Sequence, residues 1–309
     1  MIRSVILAAL CSLPAALPAQ TLTRGTCLTS WSGLTEVAAR FDMEVTAGSV
    51  GLSGGACVAT RIRSTTDVEG QDWEADRIAW SGDGLDALPG GLPAQIDIRG
   101  QGVRTTLRLG SGQALQFARP HHSSQTRVDL HFAIAHDPVE RRVVLTTPSV
   151  PPEGENAVIL AAIVEDVNLS DATTAAFSAG SFRLTSLVAE IRGNGLFGSF
   201  VLPALANDLL ADSPRPAEEM QALQANWRGL IDALPGTMLG IESRAAAAAI
   251  IDAMPSPDGT LTLSFADDQG LGPARFLPLA TADEVAPGDV AATLDGMRID
   301  LGWVPAPGG

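Results

Sequence analysis

The 309-residue chain is strongly acidic, because 35 Asp and Glu residues outnumber 20 basic residues, all of them arginine, and its formal net charge is −15 at pH 7. It has no lysine and no tyrosine, which excludes Schiff-base lysines, P-loop lysines, Ser-x-x-Lys nucleophiles and tyrosine acids. An acidic surface repels phosphate backbones and anionic headgroups, so we expect no nucleic-acid partner.

The N-terminal segment predicts a secretory signal peptide over residues 1–19. Arg3 precedes an apolar run over residues 5–10, and small residues and prolines follow. This run is far shorter than the roughly 20 residues that span a bilayer, and no later stretch is apolar enough, so we expect no membrane-spanning segment. The mature protein is then periplasmic. A lipid anchor at Cys11 is disfavoured, because the bulky Leu10 precedes it where a small residue is usual.

Two cysteines, Cys27 and Cys57, are left after removal of the signal peptide. An even cysteine count in an oxidising compartment predicts one disulfide. The alternative is a pair of buried free thiols. A structural zinc site would need more ligands than this part of the sequence offers.

Residues 20–205 are predicted to form a β-rich body. Seven runs alternate between apolar and polar residues, as half-buried antiparallel strands do. They cover residues 39–50, 57–65, 94–109, 126–137, 141–150, 156–169 and 182–193. The fold class is therefore predicted to be α+β and β-rich, with an antiparallel strand-after-strand body.

Residues 206–309 are predicted to form an α+β C-terminal region packed on the body. Apolar residues at helical spacing predict a helix over 216–234 that ends before Pro235. A second helix is expected to be capped by Ser243 and ended by Pro255. Two strands follow, over 259–268 and 297–305.

The run over 156–169 is apolar on both faces, which a strand with one wet face would not tolerate. Val158, Leu160, Ala162 and Val164 alternate with Ala157, Ile159, Ala161 and Ile163. We expect one face to meet the stripe of the first C-terminal helix, formed by Leu223, Trp227, Leu230 and Leu234. The other face needs a second sheet layer, which we favour, or a bound apolar ligand.

Two glycine-rich motifs resemble catalytic or cofactor-binding signatures. Residues 51–55 fit the G-x-S-x-G pattern of a nucleophile elbow, but an alternating strand follows, which predicts a hairpin turn at Ser53. Residues 193–198 fit G-x-G-x-x-G, with Asp212 downstream. Pro203 interrupts the helix that would hold a pyrophosphate, so we predict no dinucleotide site.

All four histidines lie in one segment with two carboxylates: His121, His122, His131, His136, Asp129 and Asp137. Such groups across a hairpin are the ligands of zinc or copper, which makes His121, His131 and His136 weak metal candidates. Strand parity, however, places His136 on the opposite face from His131. We therefore favour a solvated loop and an ordinary strand histidine, with no metal, no cofactor and no catalytic residue.

The repeated strands, the strand end "IRGNGLF" and the late segment "LPGTMLGIESRAAAAAIIDAMPSPDGTLTLSF" resemble exported envelope proteins of Gram-negative bacteria, and more distantly the AsmA-like β-groove proteins. The resemblance covers about residues 40–275. It implies an elongated curled sheet with an apolar inner face that handles lipids. The chain departs from that group in its short length and in lacking a membrane-spanning N-terminal helix.

The sequence thus favours a non-catalytic soluble periplasmic protein that binds an apolar or lipid ligand or maintains the envelope. The alternative is an exported hydrolase or metal-dependent enzyme that uses the segment from His121 to His136. The oligomeric state stays open.

Overall fold

A computed structural model describes residues 22–40, 42–66, 71–88, 90–107, 113–148, 156–280 and 292–306. The predicted signal peptide and Cys11 lie outside these residues. The strands are β1 Met43–Thr46, β2 Ser49–Ser53, β3 Ala56–Thr66, β4 Gln71–Asp83, β5 Gln95–Leu107, β6 Val128–Asp137, β7 Arg142–Thr146, β8 Ala157–Glu165, β9 Arg183–Gly193, β10 Gly259–Leu271 and β11 Arg298–Pro305. The helices are α1 Arg24–Ala39, α2 Gln113–Ala118, α3 Ala172–Ser178, α4 Leu202–Leu210, α5 Pro216–Ala233, α6 Ile241–Ala253 and α7 Pro273–Ala280.

These strands form a single sheet in which chain neighbours are also sheet neighbours, from β3 through to β11. Both β1 and β2 pair with β3, one after the other along its free edge. All pairings are antiparallel except one, where β6 and β8 meet in parallel beyond the end of the short β7, with Asp129 opposite Ala157. The predicted α+β, β-rich fold class is confirmed.

The registers sort the side chains into two faces, because residues paired across neighbouring strands point to the same side. One row of paired residues crosses the sheet from β5 to β11 and is apolar throughout: Ile96, Ile134, Leu145, Ala162, Leu187, Phe265 and Ile299. We call the face that carries this row the inner face, since the helices pack on it. The other is the outer face.

Helix α1, which the strand pattern did not predict, covers the inner face at β1–β3. The hydroxyl of Thr23 caps its first turn by accepting the Thr26 amide. Cys27 forms a disulfide with Cys57 of β3, and both cysteines are fully buried. The predicted disulfide is present. The first hydrophobic core forms around this bond and includes Trp80.

The predicted helix over 216–234 is confirmed as α5, but its expected partner is wrong. Met220, Leu223 and Trp227 pack with α2 and α4 in a second core, whereas Leu230 is 63% exposed. The helix thus buries Met220, Leu223 and Trp227 against other helices, and the next member of the stripe, Leu234, packs near Phe265 of β10 and not on β8. The reason is that α2 and α4, which were not predicted from the sequence, supply an apolar surface next to α5.

The second predicted helix is present as α6, with a different cap. Gly240 occupies the N-cap position, and Ser243 lies inside the helix. The Ser243 hydroxyl instead accepts the backbone N–H of Leu301, at 3.0 Å. It thereby satisfies an amide on the exposed edge of β11, where an unpaired donor would invite association with another strand.

We favoured a second layer of sheet as the cover for one face of β8. No such layer is found among the described residues, because their strands all belong to one sheet. Strands β10 and β11 extend the sheet of the body, and the boundary drawn at 205/206 falls inside α4. Helices supply the second layer. A third core of Met238, Phe265 and Met297 joins the C-terminal segment to the sheet.

Candidate functional site: the central apolar face

The middle of the inner face is apolar but only half-buried. Ten side chains from β6–β10 share these properties and belong to none of the three hydrophobic cores: Leu130, Phe132, Val143, Leu145, Val158, Leu160, Val164, Ile191, Leu261 and Leu263. We call them the central apolar face. Alternation along each strand and the pairing registers place all ten on one side of the sheet.

The elements that cover the inner face lie at its margins. Helix α1 packs on β1–β3, and α6 packs on β11. A π-helix, Phe197–Val201, lies on β5, where the Thr105 hydroxyl donates to the Ser199 carbonyl at 2.7 Å. At the centre two small residues, Ala162 and Ala189, are the buried positions. Their partners on the neighbouring strands, Leu145, Leu160, Leu187 and Leu263, have larger side chains.

The outer face is polar near β4–β6. Arg104 binds both Glu74 and Asp76 at 2.7 Å, and Arg127 also reaches Asp76. The hydrogen bond from Arg104 holds the pKa of Asp76 below its ordinary value, and the charges of both arginines add to this. Because the side chains of Arg127 and Asp76 are each about half exposed, we identify this side as the solvent-facing side of the sheet.

Strand β8 is apolar on both faces, as expected from its sequence. On the outer face Ile159, Ala161 and Ile163 are half-buried, and Val188 of β9, which pairs with Ala161, is 37% exposed. The outer patch is smaller than the central apolar face. Ion-paired residues such as Glu190 and Arg192 flank it on β9.

The strand histidines lie on opposite faces, as parity predicted. His131 is on the outer face, where its Nε2 lies 2.7 Å from Asp97 Oδ2 and 3.2 Å from Arg99 Nε. His136 is buried on the inner face, and its Nε2 accepts the Leu169 amide at 3.1 Å. Burial lowers the pKa of His136 and keeps the ring neutral.

The other two histidines are not on a strand. His121 ends a short 3₁₀ helix, and its Nδ1 lies 2.8 Å from the Ser256 hydroxyl. His122 contacts Thr105, and burial lowers its pKa. Within the described part of the chain no three His, Cys, Asp or Glu side chains gather as a metal-binding group. The candidates His121, His131 and His136 are therefore not brought together.

Ser53 lies at the end of β2, in a hairpin whose turn is Gly54-Gly55. Both glycines have positive φ, 62° and 78°, which the tight turn requires. A strand follows the serine, where an elbow needs a helix. The hairpin prediction is confirmed.

The glycine-rich segment 193–198 ends β9 as expected, and side-chain oxygens already bind two of its amides. The Gly195 amide donates to Asp258 Oδ1 at 2.6 Å, and the Asn194 amide donates to Asn156 Oδ1 at 3.0 Å. A Cβ on Gly198 would lie 2.2 Å from the His121 carbonyl oxygen. These glycines thus permit close packing, and a carboxylate takes the place where a phosphate would bind.

Most of the central apolar face was missed at the sequence level. The sequence singled out β8 because both its faces are apolar, which is visible in one strand. Residues such as Phe132, Ile191 and Leu263 sit in strands that alternate in the usual way. The only signal was this alternation, and it does not say whether a helix covers the apolar side.

No known protein-family profile matches the chain, and no curated protein sequence is significantly similar to it. Among the helices of the described ranges, none combines the length and hydropathy needed to cross a membrane.

Proposed function

We propose that the protein is a non-catalytic periplasmic binding protein whose central apolar face holds the acyl chain of a lipid. The observation that carries this proposal is that ten apolar side chains from five adjacent strands remain half-buried at the centre of the inner face. Strands are about 4.8 Å apart, so the face extends about 20 Å across the sheet. That extent suits an elongated ligand.

The chemistry of the face also favours an acyl chain. None of its ten side chains carries a charge or a hydrogen-bonding group. A ligand gains about 25 cal/mol for each Å² of apolar surface that leaves water. Because the face has no polar side chains, this burial is the main source of binding free energy. A polar headgroup would remain at the margin or in solvent.

Export is part of the proposal. The N-terminal segment has the layout of a signal peptide. The Cys27–Cys57 disulfide is compatible with an oxidising compartment. The resemblance to AsmA-like β-groove proteins agrees with a lipid-handling role in the envelope.

The alternative, an exported hydrolase or metal-dependent enzyme, has less support. It depends on the segment from His121 to His136, whose histidines lie on different faces and elements. The His131–Asp97 pair stands on the outer face, with no serine or cysteine nucleophile among its hydrogen-bonding partners.

The experiment is lipid extraction from protein purified without detergent, followed by mass spectrometry. The wild-type protein should carry about one extractable lipid per chain. Ala162→Trp puts a large side chain on the inner face between Leu145 and Leu187, and should lower this amount at least fivefold. Ala161→Trp is the matched control, since the neighbouring residue faces outward.

Thermal unfolding of both variants shows that each is folded before the comparison is made. Wild-type protein without lipid, or equal lipid in the two tryptophan variants, would contradict the proposal.

A further inference from the structure

One end of the sheet carries large apolar side chains in water. Val139 is 86% exposed, Phe177 79%, Phe276 38% and Phe182 36%. They come from four separate places: the β6–β7 turn, α3, α7 and the residue before β9. We call these four residues the sheet tip. Scattered single apolar residues are normal on a surface, but three phenylalanines at one end are not.

The registers place the four residues at the same end. Asp137 of β6 pairs with Arg142 of β7, Arg142 with Glu165 of β8, and Glu165 with Arg183 of β9. Strand β10 also ends here, since Leu271 pairs with Leu184. The turns and helices that follow or precede these strand ends therefore project from one end of the sheet.

Hydrogen bonds join these segments into one framework. The Asp166 carbonyl accepts from Arg141 of the β6–β7 turn at 3.3 Å and from the Ser181 hydroxyl at 3.1 Å. A Cβ on Gly272 would lie 2.0 Å from the Phe182 carbonyl oxygen, so the start of α7 touches the segment before β9. The segments that carry the apolar side chains of the tip are thus in contact with one another.

Two arginines near the tip are paired with carboxylates. Arg183 binds Asp166 at 2.6 Å and Glu165 at 3.5 Å, which raises the pKa of the guanidinium, chiefly through its hydrogen bond to Asp166. Arg275 of α7 pairs with the buried carboxylate of Asp267. The carboxylates at this end, Asp137, Glu140, Glu165, Asp166, Asp267 and Asp268, outnumber the arginines, Arg141, Arg142, Arg183 and Arg275, so the tip has no net positive charge to attract an anionic surface. The tip can attract a binding surface only through its apolar side chains.

We propose that the sheet tip inserts into the surface of a zwitterionic lipid bilayer, so that acyl chains pass between the bilayer and the central apolar face. The transfer step rests on the proposed function; the insertion does not. Val143 and Val164 belong to the central apolar face, pair with each other, and lie one residue from Arg142 and Glu165 at the tip end. The central apolar face therefore reaches this end of the sheet on β7 and β8.

The form of the tip favours a bilayer over a second copy of the chain. Val139 and Phe177 project from separate elements and are almost fully exposed, so each contributes apolar area on its own. A fluid acyl layer surrounds each side chain separately. A rigid protein partner would need a hollow that matches every one of them.

The test is flotation of the mature protein with phosphatidylcholine vesicles. The wild-type protein should float with the vesicles, and the double variant Val139→Ser, Phe177→Ser should bind at least tenfold more weakly. The control is Val304→Ser, Leu230→Ser. These residues are 66% and 63% exposed and belong to none of the four segments that form the tip, and Val304 lies at the opposite end of the sheet. The control should float as the wild type does.

Further outcomes also decide the proposal. Added phosphatidylglycerol should lower binding, because the chain is acidic. Absence of wild-type flotation, or an equal loss in both double variants, would overturn the insertion. Concentration-dependent dimers that only the tip variant abolishes, without vesicle binding, would assign the tip to a second copy instead.

Flotation also separates this inference from the proposed function. Ala162→Trp should float normally, because its change lies on the inner face. If the wild-type protein floats but carries no lipid, the binding function fails and the insertion stands. If it carries lipid but does not float, the insertion alone fails.

Discussion

The indole nitrogen of Trp80 donates a hydrogen bond of 2.9 Å to the hydroxyl of Ser30, and both residues are buried within the first core. This bond connects β4 to α1 beside the disulfide. The ring centroids of Trp31 and Trp80 are 5.7 Å apart, so a second residue of α1 also packs against Trp80. The N-terminal helix is thus held by a polar bond in an apolar setting.

Ser30→Ala should lower the free energy of unfolding by about 1 to 3 kcal/mol, because it leaves the buried indole N–H without an acceptor. Urea denaturation measures the loss. Ser32→Ala is the control on the same helix; Ser32 is exposed and its substitution should cost less than about 0.5 kcal/mol. Equal effects would show that the Trp80 bond contributes nothing.

Loss of the disulfide should destabilise the protein by about 3 to 4 kcal/mol, since Cys27 and Cys57 are 30 residues apart and the bond restricts the unfolded chain. The comparison is urea denaturation of the wild type and of the Cys27→Ala, Cys57→Ala variant. In unfolded, unreduced mature protein, mass spectrometry should find no alkylated thiol. Alkylation of both cysteines without reduction would rule the bond out.

Stability should fall as pH drops below about 6.5. The pKa values of His136 and His122 are lowered from 6.5 by burial, so the unfolded chain binds more protons than the folded protein in the acidic range. His136→Gln removes one titrating group and keeps an acceptor for the Leu169 amide. Between about pH 7.5 and pH 5, this variant should lose less stability than the wild type. An identical loss would contradict the buried, neutral state of His136.

Gly198→Ala should cost about 1 to 3 kcal/mol, because the added Cβ meets the His121 carbonyl in a packed contact. Gly229→Ala should instead stabilise the protein by about 0.5 to 1 kcal/mol, since Gly229 lies inside α5 with open space around it. Thermal unfolding of both variants checks the opposite signs. If Gly198→Ala were neutral, the glycine would not be needed for packing.

Much of the sheet could be predicted from the sequence. Period-two alternation located the strand runs that became β6, β8 and β9, and parity correctly separated His131 from His136. The single cysteine pair predicted the disulfide. Strand alternation is a local property, and every residue needed to read it lies within one run.

The helices were harder to predict. Helix α5 was visible because its apolar stripe is long, whereas α1 has a weak stripe, with small residues such as Ser30 and Gly33 at its buried positions. Its place on the sheet depends on Cys57 and Trp80, far along the chain. Likewise the partner of α5 was misjudged, because a stripe shows that a helix is covered but not what covers it.

The sequence by itself determined the strand runs, the cysteine pair and the absence of lysine and tyrosine chemistry. Only the tertiary structure decided that one sheet, covered by helices at its margins, leaves the central apolar face half-buried. The physical reason is that a strand's alternation records which side avoids water, whereas the cover on that side comes from residues distant in the chain. The sheet tip depends on the registers for the same reason, since Val139 and Phe276 come to the same end of the sheet only after the five strands β6–β10 have paired.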